Sequence, residues 1–295
     1  MVYQAPVVEV EPHEGGRRRR RRWPGRLLLT VIVLVLIVAA AEALTHVRSL
    51  GLQSLKTGSD PTPSPYSPLL PGAPVLHKPA AVAPATVSPV GYDVSHPQCG
   101  VTLPTGGGFG IVGVTGGRLL SSNRCASEQF AWAAGKAGRA VYVNTGYPGG
   151  SDPVAYGRRV IADAIAREHA AGSAGTTMWW LDVETENTWA GTQQQNATVL
   201  DAMAARLQEL GAKVGIYSTP DMFGEIAGPW SPGLPVWYAT GPGTAVDAAA
   251  ACSDGFAGSA TAIVQWIART SNGALDHNLI CPAFRNRAGE LLQLG

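Results

Sequence analysis

The sequence predicts an α/β fold, an irregular TIM-like (β/α) barrel over residues 91–295, preceded by a transmembrane helix and a disordered proline-rich linker. Three observations predict it. Short apolar runs alternate with amphipathic helical stretches from Gly91 onward, the pattern that calls for a sheet built from strand–helix units. An unbroken apolar segment follows a run of arginines near the amino end. The stretch Thr177–Thr185, TMWWLDVET, passes from apolar residues to two acids two positions apart. In a strand such residues share a face, so Asp182 and Glu184 project together while Val183 turns into the packing. Acids delivered at the carboxyl end of a strand are how a parallel α/β barrel builds a site.

In chain order, residues 1–26 form a basic tail carrying six consecutive arginines, Arg17–Arg22. Leu27–Ala41 is free of charge until Glu42, and with Ala43 and Leu44 it approaches the length of a membrane span. Residues 27–44 are therefore read as a single-pass signal-anchor in the cell membrane. The arginines stay in the cytoplasm and the carboxyl-terminal domain lies outside. Small residues at Ala39–Ala43 leave cleavage and secretion as the alternative. Residues 45–90 carry nine prolines between Pro61 and Pro89, a semi-rigid spacer without a core.

The remaining residues hold 12 Lys and Arg against 16 Asp and Glu, so the basic character belongs to the tail. That excludes nucleic acid as the main partner, because a binding domain carries its own basic face. Predicted strands are Gly91–Ser95, Gly110–Thr115, Ala140–Asn144, Met178–Val183, Val214–Ser218, Val236–Ala239, Ala262–Trp266 and a weak one at Asp276–Ile280. Predicted helices are Ala126–Gly138, Ala155–Ala171, Gln193–Leu210 and a shorter Asp221–Ile226. Val160, Ile161, Ala164 and Ile165 recur at helical spacing, as do Leu200, Met203, Leu207 and Leu210. Strands alternating with helices imply a parallel sheet, closed into a barrel, with a doubly wound open sheet as the alternative. The connection between Tyr238 and Ile263 is too short for a full crossover helix.

Cys99, Cys125, Cys252 and Cys281 all follow the apolar segment. An even count in an exported domain predicts two disulfides. Of the three possible pairings, Cys99–Cys125 with Cys252–Cys281 closes one local excursion each. Zinc ligation is the rival, but no tight Cys/His spacing supports it; neither a metal nor a cofactor is expected.

Acids gather at predicted strand ends: Asp93 in GYDVSH, Asp182 and Glu184 at the fourth strand, Asp276 in LDHN. Tyr217, Trp237, Tyr238, Gln265 and Trp266 are expected around them as substrate-binding residues. Carboxyls framed by aromatics suit a sugar site, since rings stack on pyranoses and a crowded carboxyl keeps a proton to donate. Trp237 and Trp266 read equally as core strand residues, and His96 and His277 adjoin the acids.

GYDVSH, WWLDVET, VGIYST, PVWYAT, VQW and LDHN, in that order, resemble the lysozyme family 25 of glycoside hydrolases, specifically a divergent exported branch. The resemblance covers Gly91 to about Ile280. It implies a muramidase with Glu184 as general acid, Asp182 and Asp93 as acidic partners, and Asp276 completing the catalytic set. Two stretches depart from the family pattern. VTGGRLLSSNRC stands where the family has a K-A-x-E-G type sequence, and VYVNTGYP where its third strand ends in Y-H-F. The expected function is cleavage of β-1,4 bonds in peptidoglycan or a related cell-wall glycan. A wall-binding or envelope-assembly protein that uses the same groove without turnover is the alternative.

Overall fold

The computed structural model describes residues 87–173, 175–270 and 273–295. The expected basic tail, the signal-anchor at 27–44 and nearly all of the linker at 45–90 lie outside the described residues. No helix among the described residues is long and apolar enough to cross a membrane.

The chain enters through β1 (Val90–Val94) and β2 (Phe109–Gly113), then alternates α1 (Ala126–Ala134), β3 (Gly138–Asn144), α2 (Pro153–Ala170), β4 (Met178–Asp182), α3 (Gln193–Glu209), β5 (Lys213–Ser218) and α4 (Pro220–Ala227). It continues through β6 (Val236–Pro242), α5 (Ala245–Ala250), the two-residue β7 (Gly255–Phe256), the long β8 (Ser259–Thr270), β9 (Gly273–Ile280) and a short β10 (Gln293–Leu294). Polar caps begin the longer helices. Asp152 accepts from the Ala155 amide at α2, and Thr192 and Gln195 form a reciprocal capping box at α3.

Eight of the described strands close a barrel in the order β1-β2-β3-β4-β5-β6-β8-β9, with β9 returning to β1. Six successive pairings, β1–β2 through β6–β8, are parallel. The expected all-parallel sheet fails at β9, which runs antiparallel to both β8 and β1. Only two residues separate β8 from β9, and a connection that short permits only an antiparallel return. Between Tyr238 and Ile263 the structure has the one-and-a-half-turn helix α5 and the β7–β8 pairing in place of a full crossover.

Alternation along each strand divides the apolar residues into two cores. Trp179, Leu181 and Val183 face outward and pack with Val160, Ile161, Leu200 and Met203 of α2 and α3. Met178 and Trp180 face inward with Phe109, Ile111, Trp237 and Ile263, and Leu291 and Leu292 join this inner core from the carboxyl terminus. The inner core is dense enough to demand glycine at β5: a Cβ on Gly215 would sit 2.3 Å from the Trp180 ring. Disulfides Cys99–Cys125 and Cys252–Cys281 are formed as expected. The first ties the segment after β1 to the start of α1, and the second ties the segment after α5 to the end of β9.

Candidate active site

The barrel opens at the carboxyl ends of its parallel strands into a cleft of about 300 Å³, lined by Asp93, Tyr142, Asn144, Asp182, Glu184, Glu186, Tyr217, Trp237, Gln265 and Asp276, among others. The period of two places the acids there. Asp182 ends β4 on the inner face, level with Asn144 on β3 and Tyr217 on β5. Val183 is fully buried, and its amide bonds the Tyr217 carbonyl at 2.9 Å. The ladder thus continues one residue past β4 and carries Glu184 onto the same face as Asp182. Asp276 reaches the cleft by another route. It lies within the antiparallel β9, directly opposite Asp93 in the register.

Each acid has its own surroundings. Asp93 accepts from Gln265 Nε2 at 3.0 and 3.1 Å and from Asn278 Nδ2 at 2.7 Å. Both amides are themselves oriented. Tyr217 OH donates to Gln265 Oε1 at 2.9 Å, and Trp237 Nε1 donates to Asn278 Oδ1 at 2.7 Å. Asp182 accepts from Asn144 Nδ2 through Oδ2, while its Oδ1 is buried without a hydrogen-bond partner. Glu184 and Asp182 stand within hydrogen-bonding reach, so the two carboxyls can share a proton.

Burial, joined at Asp93, Asp182 and Glu184 by repulsion from neighbouring carboxyls, pushes these groups above the ordinary carboxylate range. Asp93 rises through burial and then the Asp276 charge, against the donors that favour its ionised form. Asp182 rises through burial and then Glu184; Glu184 rises through burial. Burial lifts Asp276 to about 6. Four of the five acids that share a cleft with no Lys or Arg among its lining residues are thereby shifted toward holding protons at a pH where exposed carboxyls have lost them. Acids with displaced titrations in a concave site mark a functional centre.

Of the aromatics expected at the site, Tyr217 and Trp237 line the cleft, with ring centroids 4.5 Å apart, and Gln265 joins them. Trp237 is buried and forms the floor. Tyr238 and Trp266 face the other side of the barrel wall. Tyr238 meets Phe256 edge-on, and Trp266 stacks on His277. Strand alternation requires this, because Tyr238 follows Trp237 and Trp266 follows Gln265. His96 lines the cleft rim, while His277 points outward. Tyr142, Asn144, Asn278 and Thr115 join the site although their sequence pattern does not mark them. Tyr142 is half-buried among the acids within hydrogen-bonding reach of Ser95, in space left by Gly113, whose Cβ would lie 2.5 Å from the ring. Among the described residues no group of His, Cys, Asp and Glu could hold a metal ion.

A family model described as lysozyme-like protein 1 matches residues 115–257. A curated relative from Dictyostelium discoideum, probable GH family 25 lysozyme 4, is 33% identical over 73 residues, 24% of this chain. The match spans 34% of that relative's length, about one third. Among solved structures, the glycosyl hydrolase 25 GHIP of Streptococcus pneumoniae, a virulence factor participating in host cell invasion, aligns with TM-score 0.50 at 16% identity, over 69% of this chain and 92% of that one. The Cpl-1 endolysin, solved in complex with a peptidoglycan analogue, aligns with TM-score 0.46 at 17% identity, over 66% of this chain and 55% of that one. The chain resembles the lysozyme-like proteins of glycoside hydrolase family 25, and its closed eight-stranded α/β barrel is consistent with that fold.

Proposed function

We propose that the chain is a cell-envelope glycoside hydrolase that cleaves β-1,4 bonds of peptidoglycan on the muramic acid side. The observation that carries this reading is the Asp182–Glu184 pair. Both carboxyls stand on a face that opens into a cleft also lined by Asp93 and Asp276, and burial raises the titration of each.

Glu184 is the member of the pair that reaches the open part of the cleft; Asp182 is 3% exposed. In the proposed reaction Glu184 gives its proton to the glycosidic oxygen as the bond from that oxygen to the anomeric carbon breaks. The 2-acetamido oxygen of the muramic unit, positioned by Asp182 or Asp93, forms a bond to the same carbon. Water then opens the cyclic cation, and its proton returns to the Glu184 carboxylate. Direct attack by a carboxylate is the other retaining route and needs two acids about 5–5.5 Å apart. Tyr217 and Trp237 supply the apolar floor for a pyranose ring.

In the same proposal residues 27–44 anchor the chain, and the linker at 45–90 holds the barrel in the wall outside the membrane. The deciding experiment is digestion of purified cell wall by the full-length chain and by Glu184→Gln, followed by analysis of released muropeptides. Gln keeps the size of the side chain but has no carboxyl proton. Turnover should fall roughly 100- to 10,000-fold with the fold retained. Equal cleavage by both proteins sinks the assignment of the acid, whereas wall binding without cleavage by the unmodified chain favours a non-catalytic binder.

A further inference from the structure

We propose that Asn144, its amide held in one orientation by Thr115, is a positioning residue that commits one oxygen of Asp182 to accepting an N–H and leaves the other to share a proton with Glu184. The proposal rests on the glycosidase reading for its catalytic consequence, but not for its geometry.

Thr115 stands just beyond β2 and Asn144 ends β3; both are buried. The Thr115 hydroxyl donates to the side-chain Oδ1 of Asn144 at 2.6 Å and accepts from the backbone N–H of Asn144 at 3.1 Å. A hydroxyl has one proton, and this one is spent on Oδ1. Were the amide to flip, its NH₂ would face that hydroxyl and its oxygen would face the Asp182 carboxylate. One orientation is therefore fixed, with Nδ2 aimed at Asp182 Oδ2. The Thr145 hydroxyl and amide both bond the Asp182 carbonyl, at 2.6 and 3.0 Å, so the backbone beneath the carboxyl is pinned as well.

An N–H that only donates cannot be replaced at Oδ2 by a carboxylic proton without losing its bond. The proton of the pair is thereby directed to Oδ1, the buried oxygen that has no other hydrogen-bond partner. The other titratable groups around Asp182 are carboxyls and phenols, with one imidazole at the rim. Glu184 and Glu186 follow β4, Asp93 comes from β1, Asp276 from β9, Tyr142 from β3 and Tyr217 from β5, with His96 at the rim. None of the cleft-lining residues is a Lys or Arg that would stabilise the ionised Asp182. The Asn144 amide is its principal polar partner besides Glu184. Removing that donor should raise the carboxyl further, lock the proton on Asp182 and make it harder to pass to Glu184.

The test is a carbon-detected NMR titration of the Asp and Glu carboxyls in the full-length protein, paired with pH–rate profiles. In the unmodified chain the pair should titrate in two coupled steps. Thr115→Val keeps the shape of the side chain and removes the hydroxyl; Asn144→Ala removes the donor itself. Each should move the upper step up by roughly one pH unit or more, the scale of a lost hydrogen bond to a charged group. Thr115→Ser should restore it. In the rate profile the alkaline limb should shift by the same amount, with kcat down about tenfold and KM little changed. Titration of Thr115→Val and Asn144→Ala indistinguishable from the unmodified protein overturns the proposal. If Asn144→Ala does not fold, the Val and Ser variants at 115 decide it. Should the unmodified chain cleave no wall glycan, the glycosidase reading fails, and the titration still decides whether the clamp exists.

Discussion

Replacing Asp276 by Asn should stabilise the fold at neutral pH while reducing whatever the cleft does. Burial lifts this carboxyl from its ordinary 3.8 to about 6. A group whose folded pKa is raised binds its proton more tightly in the folded state. Its contribution to stability is full below about pH 4 and is lost as pH climbs through about 6. A rise of about 2 in pKa, at roughly 1.4 kcal/mol for each, makes the loss on the order of 3 kcal/mol above pH 7. Asn has nearly the same shape and no charge to bury, so the variant escapes that loss. It also relieves Asp93, which Asp276 opposes across the β1–β9 ladder and whose titration it raises. For a domain of this size roughly 2–4 °C of melting temperature accompanies each kcal/mol, so a gain of several degrees is expected at neutral pH. Denaturant unfolding of both full-length proteins from about pH 4 to pH 8 measures it. The two stabilities should converge at the acid end and separate steadily toward the neutral end. Parallel curves across the whole range would refute the argument, because they would mean that the cleft does not hold a proton on Asp276.

Two further outcomes are expected. Before reduction the exported protein should show no alkylatable thiol, and intact-mass measurement should find four only after reduction, in keeping with Cys99–Cys125 and Cys252–Cys281. Protease added to intact spheroplasts should remove the barrel while sparing the tail before Trp23; protection of the barrel contradicts the proposed topology, and a soluble form starting near Glu42 or Thr45 points to cleavage.

Much of the fold was legible because its punctuation is strong. The predicted strands from β1 to β6 begin and end within a few residues of the observed ones, since glycine, proline and helix caps bracket them. The direction of β9 was hidden for a definite reason. Read as a weak strand starting at Asp276, it lies ten residues past a strand ending at Trp266. In the structure β8 runs on to Thr270 and β9 begins at Gly273, and the extra residues, such as Ala268, Arg269 and Ala274, are too ordinary to announce a strand. Once the gap shrinks to two residues, only an antiparallel return is available.

The acids of the site were legible for the same reason that two of its expected aromatics failed. Alternation puts Asp182 and Glu184 on one face, and by the same rule it cannot put both Trp237 and Tyr238, or both Gln265 and Trp266, there. The signal that separates them was in the sequence: Gln265 is polar within an otherwise apolar run, AIVQWI, and a polar residue in such a run has to face something polar. Asn144, Thr115 and Asn278 carried no comparable signal. Uncharged polar residues at strand ends are common, and only the register between strands brings them to a carboxylate. What that register builds is two differently treated acids. Asp93 receives three hydrogen bonds from two amides, each anchored by an aromatic hydroxyl or indole. Asp182 receives one, and keeps an oxygen free of N–H donors. More donors favour the ionised form and fewer leave room for a proton. Burial and neighbouring carboxyls raise both acids, but the donors on the β1 side offset part of that rise and the single donor on the β4 side offsets less, a division no count of carboxylates in the sequence reveals.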